Sequence, residues 1–297
     1  MIHRPFSEIQ EETLKCFPSL KSDKDGFVIY EVPFAGKKIQ LTPEHLIGSY
    51  IYDRIEDIKA ERHVDDLRLV LSVPSYFTEE QIGRFQLGLN IAQINQYTLI
   101  HNIDSIALAY SYNNALQKEY STPRTVLFVG MDFLAAEACV IRFSNDSYEI
   151  LSYESSSSVG TQRINSLIFH EVEKGYKDIM DTQSGFEELP FVYSKLAAKV
   201  TECRNQFSPS QSEFEAMIPD VLEEEEFPFV VEYASLSERI EEEGLSEAFC
   251  EMVKKCLEKA GNVKLDGVEP MNRNMFMTPF LTRLNELMKS SEQNISL

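Results

Sequence analysis

The sequence predicts an α/β protein whose parallel or mixed sheet is covered by helices. Three observations carry this. Residues 43 to 118 run strand-like and helix-like segments in alternation, the order that builds such a sheet. Three strand-like runs then follow one another across tight turns between Thr125 and Ser155. The C-terminal part is mostly helical, with one apolar face.

Taken in order, residues 1 to 42 read as a small, irregular α/β piece. FVIYEVPFAGKKIQL gives two short strands around a turn at Ala35-Gly36. Thr42-Pro43-Glu44 opens a helix, with Thr42 as N-cap and Pro43 at the first helical position. Leu46, Ile47, Tyr50, Ile51, Ile55 and Ile58 recur along it at helical spacing. LRLVLSVPSY, Leu67 to Tyr76, is a largely apolar run of the kind that forms a strand buried on both faces. Thr78 then caps a second helix, with Gln81 placed to reach back to it. A short strand near Tyr97–Ile100 and a helix from about Asp104 to Lys118 complete this half.

The second half begins after Ser121-Thr122-Pro123. TVLFVGM, AAEACVIRFS and SYEILSYES form a meander with a turn at Asn145-Asp146. Helices are expected near Gln162 to Tyr176 and over about Glu187 to Phe207. EFEAMIPDV and FPFVVEY are strands flanking an acidic run, Glu223 to Glu226. Phe249, Met252, Val253, Cys256, Leu257 and Ala260 make one helical face, ended by Gly261.

Composition narrows the function. The net charge of −20 opposes general nucleic-acid binding and adsorption to anionic lipid, both of which need clustered Lys and Arg. No apolar run is long enough to span a membrane, and the N-terminus lacks a secretory pattern. The five cysteines are scattered, without a C-x-x-C pair, so neither a disulfide framework nor a zinc site is indicated. Cys250 and Cys256 fall on a helical pattern as small core hydrophobes, and a reducing cytoplasm is the expected compartment. No two of the five histidines stand at ligand spacing, and no P-loop, H-E-x-x-H, G-x-S-x-G or G-x-G-x-x-G is present. The runs at Glu223–Glu226 and Glu241–Glu243 offer charge for a cation or a basic partner, with a solvated loop or helix face the favoured reading.

A resemblance enters at VLSVPSYFTEEQ, Val70 to Gln81, which is similar to the strand–turn–helix signature of the 70-kDa heat-shock protein nucleotide-binding domain. Ser75 and Thr78 bring it closest to the divergent 110-kDa heat-shock branch. Ile2-His3-Arg4-Pro5-Phe6 resembles the segment after that family's catalytic lysine, and IDSIALAYSY the helix opened by its glutamate-proline-threonine motif. TVLFVGMDFLAAEACVI resembles the second phosphate-binding hairpin. SVGTQRINSLIFHEV resembles the glycine-pair segment, and KLAAKVTECRNQFSPSQ the adenosine-contacting helix. The succession of these segments is the specific signal.

The resemblance implies a two-lobed, actin-like heat-shock ATPase fold with lobe I incomplete. It would assign 1–46 to the upper and 47–122 to the lower part of lobe I. Residues 123–158 and 236–297 would form the lower part of lobe II, and 159–235 its upper part. The family's first phosphate hairpin, catalytic lysine, closing segment, peptide-binding domain and lid have no counterpart among these residues.

Its departures bear on chemistry. Phosphate loops use glycines so that backbone N–H groups approach the oxygens closely. Where the family has an aspartate, three glycines and a threonine, this sequence has Gly130, Met131, Asp132, Phe133, Leu134 and Ala135. Asn102 and Ile103 replace the hinge glutamate and proline, and Thr201 and Asn205 replace a glutamate and an arginine on the adenosine helix. Of the C-terminal glycine-glycine motif region only Pro279 persists. Residual nucleotide contact is implied only at Gly160, Arg204 and Ser208, with no catalytic residue and no metal ligand.

The resulting expectation is a non-catalytic chaperone-family protein, a pseudo-ATPase without cofactor, acting by protein–protein contact. Co-chaperone or nucleotide exchange factor is the implied role, and a 70-kDa heat-shock chaperone or a larger assembly the implied partner. The alternative is an ATP-binding chaperone ATPase domain, using ATP or ADP with Mg²⁺, whose N-terminal part lies outside this chain. A decayed gene product is the third reading. Without the family's preceding strands, Leu67, Leu69, Val70 and Leu71 are expected to leave an open apolar edge.

Overall fold

The computed structural model describes residues 2–9, 13–14, 17–117, 123–144, 147–181, 185–186, 190–206, 212–222, 225–261, 263–271 and 277–290. The chain forms two compact units, Met1–Ile106 and Ala107–Leu297.

In the first unit, β1 (Leu20–Ser22), β2 (Val28–Phe34) and β3 (Lys37–Leu41) form an antiparallel sheet in that order. The β1–β2 turn is set by Asp23, whose carboxylate accepts the N–H groups of Asp25 and Phe27 at 2.9 and 2.8 Å. The β2–β3 turn is Ala35-Gly36, both at positive φ, which matches the two-residue hairpin turn expected there.

Helices α1 (Pro43–Arg62) and α2 (Glu79–Ile91) start where the caps were expected. Thr78 Oγ1 accepts from Gln81 N–H at 3.2 Å, and Gln81 Oε1 accepts from Thr78 N–H at 3.0 Å. At Thr42 the reciprocal partner is His45, whose Nδ1 takes the Thr42 N–H at 3.3 Å. A ring nitrogen thus performs the task a Glu or Gln side chain usually performs. The two helices cross at glycines. A Cβ on Gly48 would lie 2.3 Å from the carbonyl oxygen of Gly88, and a Cβ on Gly88 2.7 Å from that of Glu44.

Strands β4 (Leu69–Val73) and β5 (Tyr97–His101) pair in parallel and are joined through α2. The expectation of a strand buried on both faces is corrected. β4 alternates, with Leu69, Leu71 and Val73 turned to the core while Val70 is 61% exposed. Leu67, Leu69 and Leu71 pack against Ile55, Phe85, Leu89 and Ile94, so Val70 alone remains of the expected apolar patch. Residues at the N-terminus are tied to the same core. Ile2 is buried, its carbonyl accepts from Gln81 Nε2 at 3.3 Å, and His3 stacks on Phe27 and meets Glu80 at 2.9 Å. Helix α3 (Asn102–Gln117) follows β5 and contains the division between the units.

The second unit is built on a four-stranded sheet, ordered β11-β6-β7-β8. The antiparallel meander β6 (Arg124–Met131), β7 (Ala136–Ser144) and β8 (Ser147–Ser156) is as expected. β11 (Gly267–Pro270) adds in parallel beside β6 and was not predicted. Its entry is pinned where Thr125 N–H donates to Asp266 Oδ2 at 2.8 Å. One face of the sheet receives α7 (Leu245–Lys259), with Ser152 Oγ and Cys256 Sγ 3.2 Å apart. The other presents Phe128 and Phe143 to Tyr110, at 5.1 and 4.8 Å between ring centroids.

The remaining elements are α4 (Thr161–Met180), α5 (Pro190–Gln206), the antiparallel hairpin β9 (Glu213–Leu222) and β10 (Glu225–Glu232), α6 (Tyr233–Glu242) and α8 (Thr278–Ser290). Rings of Tyr176, Phe186, Tyr193 and Phe227 form the core shared by α4, α5 and the hairpin, while α8 packs on α7 through Phe280 and Phe249, 5.5 Å apart. Glu171 joins α4 to α6 by accepting from Arg239 at 2.7 Å. No helix among the described residues is long and apolar enough to cross a membrane.

The glycine crossing gives a direct test. Gly88→Ala is expected to destabilise the protein by about 1–3 kcal/mol, the cost of overpacking a tight contact. Gly83, on the same helix with nothing within 4 Å of an added Cβ, is the comparison. Gly83→Ala is expected to stabilise by up to about 1 kcal/mol. Denaturant unfolding followed by circular dichroism measures both.

Candidate functional site: a closed loop on a helix start

The turn between β6 and β7 sits where a phosphate loop was expected and is closed by its own backbone. Gly130 is buried within β6, in register with Glu137, and Met131 is 1% exposed. Asp132 N–H donates to the carbonyl of Ala135 at 2.8 Å, folding the four residues Asp132–Ala135 into a tight turn. Phe133 projects outward at 41% exposure.

This turn lies against the start of α4. Thr161 N–H donates to the Asp132 carbonyl at 2.9 Å, and Gln162 N–H to the Phe133 carbonyl at 3.0 Å. The first N–H groups of a helix carry its positive end and form a natural anion site. Here two of them are occupied by loop carbonyls, which take the place of a capping side chain, since the N-cap is Gly160. Thr161 and Gln162 are themselves buried.

Gly160 explains how the loop comes so close. An added Cβ would stand 2.8 Å from both the carbonyl carbon of Leu134 and the carbonyl oxygen of Phe133, and 3.0 Å from Ala135 N. Its φ of −166° is ordinary extended backbone, so the requirement is space rather than conformation.

Arg204 lies on α5 and points to α4, donating from Nη1 to Asn165 Oδ1 at 2.9 Å. Its Nη2 also reaches Asn205 Oδ1 at 3.5 Å. Burial depresses its pKa, though a guanidinium remains charged at any physiological pH. Thr201, on the same helix, donates back to the Ala197 carbonyl at 3.0 Å. Gly160 and Arg204 thus both address α4, one at its N-terminus and one at Asn165, a turn further along. Ser208 lies outside the described residues, as do Asn145, Asp146, Glu223 and Glu224. Among the described residues no group of three or more His, Cys, Asp or Glu is placed to hold a metal ion.

Three features here escaped sequence reasoning. The Arg204–Asn165 bond joins residues 39 apart in sequence. The carbonyl caps on Thr161 and Gln162 are backbone interactions without a residue signature. Glu173, which accepts from Phe186 N–H at 3.1 Å and Tyr193 Oη at 3.2 Å, fixes the approach to α5.

The α/β order of elements accords with an actin-like ATPase fold of the heat-shock type, and comparison with known proteins shows the family. The profile of the Hsp70 protein family matches residues 1–272. The chain belongs to the Hsp70 family. It is similar to heat shock 70 kDa protein 16 of Arabidopsis thaliana, 22% identical over 60% of this chain and 24% of that protein. It is also similar to heat shock protein 110 of Caenorhabditis elegans, 22% identical over 61% of this chain and 24% of that protein. Heat shock protein 88 of Dictyostelium discoideum is 24% identical over 57% of this chain and 22% of its own length. The chain spans about a quarter of the length of these relatives.

Two outcomes follow. Gly160→Ala is expected to force the Asp132–Ala135 turn off the helix start and lower stability by about 1–3 kcal/mol. Thermal unfolding measures it, and an unchanged melting temperature would show that the contact is slack. Second, burial pushes the Cys203 thiol up to about 12 and the Cys250 thiol up to about 11. The folded chain therefore holds protons that the unfolded chain releases from about pH 9. This contribution to stability is complete below that pH and is lost as pH rises toward 11 to 12. The melting temperature of the wild type is expected to fall over that range more steeply than that of a Cys203→Ala, Cys250→Ala variant.

Proposed function

We propose that this chain is a non-catalytic member of the Hsp70 family that acts by protein contact, in the manner of a co-chaperone or nucleotide exchange factor for a 70-kDa heat-shock chaperone. One observation carries the reading. The Asp132–Ala135 turn spends its own carbonyls on the first two N–H groups of α4, and Gly160 is filled by that turn. Phosphoryl transfer rests on a backbone cradle, a metal ion and a positioned base. A polyphosphate at this turn would have to displace hydrogen bonds of 2.8 to 3.0 Å and meet Phe133 and the Asp132 carboxylate. Similarity to heat shock protein 110 supports a role beside another chaperone. The acidic surface, at a net charge of −20, favours a partner with basic patches, and the cytoplasm is the compartment proposed for both.

Calorimetric titration of the chain with Mg-ATP tests this. The expected result is no saturable heat and no phosphate release over the buffer rate. Saturable binding at micromolar ATP would overturn the reading and favour an ATP-binding module.

A further inference from the structure

Within the first unit, the C-terminal half of α1 and the loops before β4 and β5 surround an open pocket of about 430 Å³. Its floor is aliphatic, made by Ile55, Leu67, Leu69 and Ile94. It continues outward onto Tyr52, which is 48% exposed. The volume falls in the lower part of the range of small-molecule pockets.

The charges around this pocket are largely spent on one another. Lys59 Nζ stands 2.9 Å from Glu56 Oε1, and Asp65 acts on the same ammonium through space. A cationic ligand would compete with Lys59, and an anionic one would meet the carboxylates. The lining groups left open are uncharged but for one. They are the side-chain amides of Gln93 and Gln96, which make no hydrogen bond among the described residues, and the Asp66 carboxylate, which closes no ion pair there. The loop that carries the two amides is fixed by its own bonds. Gln93 N–H donates to the Asn90 carbonyl at 3.0 Å, Ile94 N–H to that of Leu89 at 2.9 Å, and Asn95 Nδ2 to that of Gln93 at 3.3 Å. Gln93 is held at a φ of 60°, left-handed backbone that few residues other than glycine adopt.

A saturated ring bearing hydroxyl groups has the complementary form. Its C–H face is apolar, and each hydroxyl at its edge both donates and accepts. A carboxylate accepts from two neighbouring hydroxyls, while a primary amide donates to one and accepts from another. Aliphatic and aromatic side chains cover the C–H face. Such a fit needs no net charge on the ligand, in keeping with a rim whose lysine is already paired.

We propose that this pocket binds a neutral hydroxylated ring, a hexose or a disaccharide in chemical class. The C–H face rests on Ile55, Ile94 and Tyr52, and the hydroxyls meet Asp66, Gln93 and Gln96. The site lies wholly within the first unit, so it stands apart from the reading of the Asp132–Ala135 turn.

The probes are glucose, mannose, galactose, maltose and cellobiose, each titrated into the full chain and followed by amide spectra. Saturable shifts centred on Asp66 and residues 93–96 are expected with at least one of them. Asp66→Ala is expected to weaken that binding about tenfold at an unchanged melting temperature, through loss of hydrogen bonds to a charged acceptor. Tyr52→Ala is expected to weaken it as well, Tyr52→Phe to retain it, and Asp57→Asn, outside the pocket, to leave it unchanged. Sorbitol, an open-chain polyol without a ring face, is expected to give no saturable shift. Butylammonium tests the pocket as a cation site, and it is expected to bind more weakly than the sugar. No saturable shift with any of the five sugars would overturn the proposal. So would equal binding of sorbitol, tighter binding of butylammonium, or sugar binding indifferent to both Asp66→Ala and Tyr52→Ala.

Discussion

The hydrogen bonds from Thr161 and Gln162 N–H to the carbonyls of Asp132 and Phe133 decide how the second unit is put together. They fix the β6–β7 hairpin to the first turn of α4, and α4 in turn carries Glu171, Glu173 and Asn165. Those three side chains hold α6 through Arg239, the approach to α5 through Phe186 and Tyr193, and α5 itself through Arg204. A helix start that caps itself on a neighbouring loop satisfies backbone donors that burial would otherwise leave costly. The same geometry uses up donors that a nucleotide-binding site would turn toward phosphate.

The sheet and the β6–β7 loop answer to different physical constraints. β6 and β7 are buried over nearly their whole length, and the rings of Phe128, Phe143 and Tyr110 pack as a sheet of this kind requires. Substitutions in such a core cost stability directly, whereas a surface loop tolerates a wider choice of residues. Phe133 is at a loop tip and 41% exposed, where a bulky side chain costs the fold little. Gly160 remains because a side chain there would strike backbone, a need independent of any ligand.

Much of the fold was legible. The caps at Thr42 and Thr78, the Ala35-Gly36 turn and the meander are local signals, and each appears where it was read. β11 was not legible because Gly-Val-Glu-Pro has little strand character of its own and is held by β6 and Asp266. β4 was read as doubly buried because Leu69, Val70 and Leu71 are all apolar; composition does not say that Val70 faces outward. For the site, the residues of the Asp132–Ala135 turn were visible in the sequence and its backbone contacts with α4 were not. Gly160 is a steric requirement and Arg204 a tie between helices, and both depend on residues remote in sequence.

The central claim is that the first amides of α4 belong to the loop and are unavailable to a phosphate. Amide hydrogen exchange at Thr161 and Gln162, followed with and without millimolar Mg-ATP, addresses it most directly. Strong protection that ATP leaves unaltered is the predicted result. Rapid exchange in the free chain, or protection that appears only with ATP, would contradict it.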